Sequence, residues 1–235
     1  MTGRRRRINR QIWVVKLGGS LASGPLLAQW LDVLAAGGGR LVVVPGGGPF
    51  ADEVRNMQQR WRFDDATAHR LALLAMEQYG LMLAGLRASL RPADSRQRIL
   101  KLLGEGATPV WLPSRMALGR TDIPESWDVT SDSLAAWLAG QLAADCLILV
   151  KSVAVEEGRT VGDLVRLGVV DPALPGFLAR SHGECRCIEA GRYREMAAAL
   201  ANGAPPGTRI AGPAVAVGKS GGSIAGDRER ANIDR

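Results

Sequence analysis

Two short apolar runs, each ending in a glycine-rich turn, limit most what this chain can fold into. The first run, IWVVKL at 12–17, leads into Gly18 and Gly19, and the second, LVVV at 41–44, leads into a proline and three glycines. A stretch with helical spacing of apolar residues follows each turn. Strand, glycine turn and helix in this order are typical of a parallel sheet covered by helices on both faces. The sequence therefore predicts an α/β fold, a three-layer αβα sandwich around a largely parallel central sheet.

The remaining elements follow the same alternation with a weaker signal towards the C-terminus. We predict helices over 50–61, 64–90 and 131–143, the last with Thr130 or Ser131 as its N-cap, and strands over 108–112 and 146–150. The long helix carries an apolar stripe that is interrupted by Gln78 and consists of Leu71, Leu74, Ala75, Leu81 and Met82. Beyond residue 152 the segment 184–190 is consistent with a strand, and 193–201 favours a short helix.

Length and charge distribution predict one domain with two flexible ends. A chain of 235 residues could form one large domain or two small ones. Five arginines and no acid lie within the first ten residues, so the net charge of +7 leaves only about +2 for the rest of the chain. We predict a disordered basic arm at 1–11, a single domain at 12–210 and a flexible tail at 211–235. This distribution does not favour a nucleic acid partner.

Several classes of protein are excluded by what the sequence lacks. No apolar run reaches the roughly 18 residues of a membrane span, and the basic start has no long apolar segment typical of a secretory signal. We therefore expect a cytoplasmic protein without a membrane partner. Cys146, Cys185 and Cys187 are odd in number and lack metal-finger spacing, which argues against a disulfide framework or a structural zinc site.

The two glycine turns are candidate anion sites. Backbone N–H groups in a glycine turn at a helix start can approach a phosphate, and the helix dipole adds a favourable potential. Either turn alone is equally typical of a tight strand-to-helix connection. Two such turns, with Lys16 just before the first, favour the binding of two anionic groups at the carboxyl edge of the sheet. Neither turn has the spacing of a Walker A loop or a dinucleotide fingerprint.

Three motifs in sequence order resemble those of the amino acid kinase superfamily, which includes acetylglutamate, aspartate, uridylate and isopentenyl phosphate kinases. They are VVKLGGSL at 14–21, VVVPGGGPFADEVR at 42–55 and VTSDSLAAWLA at 129–139. The resemblance covers about 12–210 and implies an acceptor-side half at about 12–140 and a short nucleotide-side half at about 141–210. The stretch 112–140 is most similar to the kinases that convert [5-(aminomethyl)furan-3-yl]methyl phosphate to its diphosphate in methanofuran biosynthesis.

The resemblance implies a role for each motif residue. Lys16, Asp132 and Lys151 would be catalytic: Lys16 would bridge the transferring phosphoryl group, Asp132 would orient the lysines, and Lys151 would support the donor phosphates. Donor phosphate would be held by Gly18, Gly19 and Ser20. The acceptor would be bound by Gly46, Gly47, Gly48, Asp122 and Trp127. Simpler structural interpretations exist for three of these residues. Asp132 could be only an acid at a helix start, and Asp122 and Trp127 could belong to an exposed polar loop at 121–128.

The activity that the resemblance implies is ATP-dependent phosphoryl transfer to a small phosphate monoester, within the biosynthesis of a methanofuran-type one-carbon cofactor. Mg²⁺ would accompany ATP without a protein ligand motif, and relatives suggest a homo-oligomer. Alternatives are an isopentenyl phosphate or uridylate-type kinase, or a non-catalytic nucleotide-binding or storage protein on the same fold. The segment KSVAVEEGRT at 151–160 departs from the Asp-Val-Asp-Gly type loop of many relatives. Arg180 or His182 could add a basic group there, whereas neither His69 nor His182 is expected to be catalytic.

Overall fold

Seven strands form one sheet in the order β3-β4-β2-β1-β5-β6-β7 in the computed structural model, which describes residues 11–212. All neighbouring strands are parallel except the pair of β6 and β7. The strands are β1 (Trp13–Leu17), β2 (Leu41–Pro45), β3 (Leu90–Ala93), β4 (Thr108–Trp111), β5 (Cys146–Lys151), β6 (Glu184–Glu189) and β7 (Thr208–Ile210). The predicted arm at 1–11 and tail at 211–235 lie almost wholly outside the described residues.

Helices cover both faces of this sheet. They are α1 (Leu26–Ala35), α2 (Gly48–Trp61), α3 (Asp65–Leu86), α4 (Arg96–Gly104), α5 (Ser114–Ala117), α6 (Ser131–Leu142), α7 (Val161–Arg166), α8 (Leu174–Leu178) and α9 (Tyr193–Asn202). Short 3₁₀ turns follow β1 and β6. The predicted αβα sandwich with a largely parallel sheet is confirmed.

The sheet separates two apolar cores, because successive strand residues point to opposite faces. On β1, Val14 packs into the core that contains α4, α6 and α8, whereas Trp13 and Val15 pack into the core that contains α1 and α9. The alternation places Lys16 on the same face as Val14 and α6. The side chain that ends this buried strand therefore faces the start of α6 along the carboxyl edge of the sheet.

The predicted helix over 64–90 is too long, and two elements after it were missed. The helix α3 ends at Leu86, because Leu90–Ala93 forms the edge strand β3 despite Pro92, which an edge strand tolerates. Ser95 then accepts a hydrogen bond from the backbone of Arg98 and caps α4. Propensity alone did not separate these short elements from the helical pattern before them.

Of the apolar stripe predicted on α3, Ala75 is buried, but the three leucines do not face the core. Leu71, Leu74 and Leu81 are 37%, 43% and 52% exposed, respectively. The core instead receives a different set from this helix, which includes Leu73, Met76, Tyr79 and Leu83. The helix is therefore apolar on more than one face, and its outer face carries leucines that this chain does not cover.

Candidate functional site

Two lysines from adjacent strands meet one carboxylate at the carboxyl edge of the sheet. Lys16 lies near the end of β1 and Lys151 ends β5, and the register pairs Lys16 with Leu149, so Lys151 lies two residues further along the adjacent strand and on the same face. The Lys16 ammonium lies 2.9 Å from Oδ1 of Asp132, and the Lys151 ammonium donates to Oδ2 at 2.6 Å. Oδ1 has no aligned hydrogen-bond donor, so Lys16 holds it by charge. The structure thus brings the three predicted catalytic residues together.

Lys16, Lys151 and Asp132 form a buried cluster with a net charge of +1. Asp132 is only 3% exposed and Lys16 only 7%. Burial raises the pKa of the Asp132 carboxyl, but the two ammonium groups outweigh burial and hold its pKa below the ordinary value. Burial lowers the pKa of Lys151 and the Lys16 charge lowers it further, while Asp132 opposes both. Such a cluster can accept negative charge that develops beside it.

The two glycine turns lie against each other and beside this cluster. A Cβ atom on Gly19 would come within 2.4 Å of the backbone nitrogen of Gly48, and one on Gly46 within 2.6 Å of that of Gly19. Gly48 also has a φ of +55°, which favours glycine. A Cβ on Gly18 would lie in ordinary contact, 3.7 Å from the Lys16 ammonium. Gly19 and Gly46 are therefore needed for the close approach of the turns, and Gly48 for its backbone conformation, whatever the turns bind.

A cavity of about 320 Å³ opens beside the second turn, between α2, α3 and the start of α6. Its polar lining includes the predicted residues Ser20 and Trp127 together with the glycines of both turns, and its apolar lining includes Leu73, Met76 and Leu134. This volume suits a small molecule. The structure thus brings the donor-side and acceptor-side turns to one site, with the cavity on the predicted acceptor side.

Trp127 is held in the wall of this cavity by helix α2. Its indole N–H donates to Oε1 of Gln58 at 2.6 Å, and the Arg55 guanidinium lies 4.3 Å from the ring centroid. Both contacts come from α2: Arg55 is the last residue of the PGGGPFADEVR motif, and Gln58 follows it by three residues. The ring is therefore fixed before any ligand binds, which lowers the entropic cost of ligand binding.

His69 also lines the cavity, as an uncharged side chain. It is 5% exposed, and burial lowers the pKa of its imidazole, with an opposing effect from Glu125. A neutral imidazole at this position can donate or accept a hydrogen bond from a ligand. Sequence reasoning did not place His69 in the site, because it lies in the middle of a long helix without a neighbouring motif.

The structure does not bring Asp122 to this cavity, although we expected it to bind the acceptor. The Arg120 guanidinium donates to both carboxylate oxygens of Asp122, at 2.8 and 3.2 Å, and the Trp137 indole donates at 2.9 Å. These contacts, that of Arg120 foremost, lower the pKa of Asp122 to about 2. Asp122 instead lines a different cavity with Arg180 and His182, so neither of these two basic residues lies at the Lys16 cluster.

Asp171 is a buried carboxylate that sequence reasoning missed. Its side chain accepts hydrogen bonds from the backbone N–H and hydroxyl of both Thr130 and Ser133, and from the backbone of Leu174. Thr130 begins α6 without a side-chain cap of its own, so Asp171 caps this helix from a distant loop. The cap adjoins Asp132, and it therefore fixes the carboxylate that both lysines contact. No local motif relates Asp171 to α6, since Thr130 and Ser133 lie about 40 residues away.

We expect Asp171→Asn to lower the free energy of unfolding by about 2 kcal/mol, because an amide N–H₂ in place of either oxygen would face at least one backbone N–H, which can only donate. We also expect a fall in turnover, since the start of α6 positions Asp132. Urea titration and steady-state kinetics measure the two effects. Asp163→Asn is the matched control: Asp163 caps α7 through Thr160 away from the lysine cluster, and its replacement should lower the free energy of unfolding by clearly less. Equal costs for both variants would contradict the proposed role.

The three cysteines take no part in this site chemistry. All are free and buried. Burial raises the pKa of Cys146 and Cys187 to about 12, so these thiols stay protonated near neutral pH and pack as small apolar residues.

Among the side chains of residues 11–212, no three histidine, cysteine or acidic groups converge in a way that could hold a metal ion. No helix in the same range has both the length and the apolar character to cross a membrane.

Comparison with known proteins identifies the family. The sequence model of the amino acid kinase family matches residues 11–155, so the chain belongs to this family. The chain is 30% identical over 143 residues to the [5-(aminomethyl)furan-3-yl]methyl phosphate kinase of Methanocaldococcus jannaschii. That alignment covers 60% of this chain and 65% of the relative, so the chain spans slightly less than two thirds of the length of that protein. The resemblance deduced from the motifs is confirmed.

Two further proteins are similar to this chain, one by sequence and one by structure. The chain is 28% identical over 186 residues to the acetylglutamate kinase of Anaeromyxobacter dehalogenans, which covers 59% of this chain and 69% of that protein. The crystal structure of the uridylate kinase from Archaeoglobus fulgidus matches with a TM-score of 0.64 at 18% identity, over 85% of this chain and 100% of that one. At this identity the structural match shows a shared fold.

Proposed function

We propose that this protein transfers a phosphoryl group from ATP to a small phosphate monoester and forms a diphosphate. The observation that carries the proposal is the convergence of Lys16 and Lys151 on the buried Asp132, beside two glycine turns and a cavity of small-molecule size. Kinases of the same family are the relatives found by sequence. Lys16 would contact the transferring group, and Lys151 would support the donor phosphates.

The chemistry of this step requires little from the protein except position and charge. An anionic oxygen of the acceptor phosphate attacks the γ-phosphorus of ATP, and the bond to the bridging oxygen breaks, so that ADP leaves with the electron pair. Because the nucleophile is already ionised, no side chain has to remove a proton, and a neutral His69 is compatible with the reaction. The two ammonium groups and the turn amides would stabilise charge on the transferring group.

Magnesium enters this proposal with the nucleotide. The buried carboxylate at the site already faces two ammonium groups, and the described residues provide no carboxylate cluster. We therefore propose that the ion is held mainly by the phosphates of ATP, as is usual for Mg²⁺.

For the acceptor we propose [5-(aminomethyl)furan-3-yl]methyl phosphate, which would place the protein in methanofuran-type one-carbon cofactor biosynthesis. The relative from Methanocaldococcus jannaschii is named for this substrate and is 30% identical to this chain over 143 residues. The cavity supports the proposal, because it combines a glycine turn suited to a phosphate with the fixed aromatic wall of Trp127. A furan ring can pack against such a wall.

A turnover assay tests this proposal. Purified protein, ATP and Mg²⁺ are incubated with the furan phosphate, with isopentenyl phosphate or with uridylate, and the diphosphate is detected by mass spectrometry. We expect the furan diphosphate to form fastest. Faster turnover of isopentenyl phosphate or uridylate would support the alternative kinases. ATP binding by calorimetry without any phosphorylated product would support a nucleotide-binding or storage protein.

The proposal includes a homo-oligomer, for which α3 offers a surface. Leu71, Leu74 and Leu81 lie on one exposed face of this helix, and Leu71 and Leu74 also line a shallow groove against Phe50 and Met57 of α2. Leucines at this helical spacing can pack against the same face of a second copy, which creates a self-complementary interface. An apolar face of this kind is expected to be covered in solution.

We expect Leu74→Glu to shift the protein from oligomer to monomer in size-exclusion chromatography with light scattering, because two buried carboxylates would face each other across the interface. Leu167→Glu is the matched control, since Leu167 is 62% exposed but follows α7, far along the chain from this face. Its mass should equal that of the wild type. A wild-type protein that is monomeric at all concentrations would remove this part of the proposal.

Other expectations remain predictions from the sequence. They are the cytoplasmic location, the lack of a nucleic acid partner, and the division into an acceptor-side half at about 12–140 and a nucleotide-side half at about 141–210.

On the nucleotide side, a polar cavity of about 350 Å³ is lined by Arg186, Arg192 and Arg209, each of which is already paired with a carboxylate.

A further inference from the structure

The cavity beside the second glycine turn is lined by a carboxylate, which would repel the phosphate group of an acceptor. Asp52 lies on α2, one helical turn after Gly48, and it is the one acidic side chain among the described residues that line this cavity. A phosphate monoester held at the glycine turn carries up to two negative charges, and a nearby carboxylate repels it. Asp52 therefore offers this cavity an acceptor for a positively charged group of the ligand, provided that Arg55, which lines the same cavity, does not occupy it.

The existing partner of Asp52 leaves it available to a ligand. Arg55 lies 3.3 Å away on the same helix, and the side chains of Arg55 and Asp52 are 45% and 73% exposed. An exposed pair of this length contributes little free energy. The Arg55 guanidinium is also placed over the Trp127 ring, which fixes it at one side of the cavity. The carboxylate of Asp52 can thus accept hydrogen bonds from another cation at small cost.

We propose that this cavity selects a zwitterionic acceptor, with its phosphate at the Gly46–Gly48 turn, its ring beside Trp127 and its protonated amine at Asp52. The inference rests on the proposed function and deepens it, because it names the group that separates an amine-bearing acceptor from isopentenyl phosphate or uridylate. It also assigns to Asp52 the role that the sequence suggested for Asp122, whose carboxylate is occupied by Arg120 and Trp137.

The experiment compares two acceptors that differ in the amine alone: [5-(aminomethyl)furan-3-yl]methyl phosphate and (5-methylfuran-3-yl)methyl phosphate. Dissociation constants from calorimetry and KM values are measured for the wild type, Asp52→Asn and Asp122→Asn. Glu53→Gln is the matched control, because Glu53 is the next residue on the same helix but contacts Asn56 and lines the outer groove instead of this cavity.

We expect the wild type to bind the amine-bearing acceptor about 2- to 5-fold more tightly than the methyl analogue, because Asp52 is mostly exposed and an exposed charge pair contributes little free energy. Asp52→Asn should lose this preference with an unchanged KM for ATP, whereas Glu53→Gln and Asp122→Asn should keep it. A wild type without the preference overturns the inference, as does loss of the preference in Asp122→Asn alone. Failure of the proposed function is distinct, since then no acceptor yields a diphosphate, whatever the binding constants are.

Discussion

Lys16→Met should lower kcat by on the order of 100-fold, because it removes a fixed positive charge from the place where the transferring phosphoryl group gains negative charge. Methionine keeps most of the volume of the buried lysine stem, so the variant tests the charge more than the packing. Asp132 would still pair with Lys151 at 2.6 Å, and we therefore expect the variant to fold. Steady-state kinetics with the furan phosphate and urea titration measure the two properties separately.

The control for this prediction is Lys101→Met. Lys101 lies on α4, its side chain is 66% exposed, and its nearest carboxylate, Glu105, is 3.9 Å away. Its replacement should leave both kcat and the unfolding midpoint unchanged. A kcat near the wild-type value in Lys16→Met, with the Lys101→Met control unaffected, would remove Lys16 from the mechanism.

The sequence predicted the parts of the site that depend on local pattern. Lys16 and the two glycine turns follow apolar strands, and parallel strands place their carboxyl ends at the same edge, so their proximity follows from the strand pattern. The structure adds a reason for the glycines that the sequence did not supply. Gly19 and Gly48 are in backbone contact, so a side chain would separate the turns even without a ligand.

The parts that the sequence did not predict depend on contacts between distant segments. Asp171 caps α6 across about 40 residues, and no spacing rule relates it to Thr130. Asp122 and Asp52 both lie near motif residues, but only the folded chain shows that Arg120 occupies the first while the second lines the cavity. The stripe on α3 had the periodicity of a buried face, and periodicity does not distinguish a core from an intermolecular surface.

Asp132→Asn should be the most damaging single change to stability, with a loss of about 3–5 kcal/mol of unfolding free energy near neutral pH. The reason is that two buried ammonium groups would lose their shared counterion, and an uncompensated buried charge is far more costly than the loss of an exposed pair. Turnover should also fall strongly, because Lys16 and Lys151 would no longer be held together. Asp128→Asn is the control, since Asp128 lies four residues earlier, is exposed and does not contact either lysine.

The pH dependence of Asp132→Asn tests the electrostatic explanation directly. In the wild type, burial and Lys16 lower the pKa of Lys151 below 10.5, and Asp132 opposes them; without Asp132 the pKa should fall further. The unfolded chain then binds more protons than the folded one at pH values between the lowered pKa of Lys151 and its ordinary value of 10.5, so the stability of the variant should rise with pH in that range. Its residual turnover should fall over the same range, because Lys151 loses the charge that supports the donor phosphates. Opposite slopes for stability and turnover are expected only if the carboxylate acts by keeping the lysine charged, and two flat profiles would contradict this role.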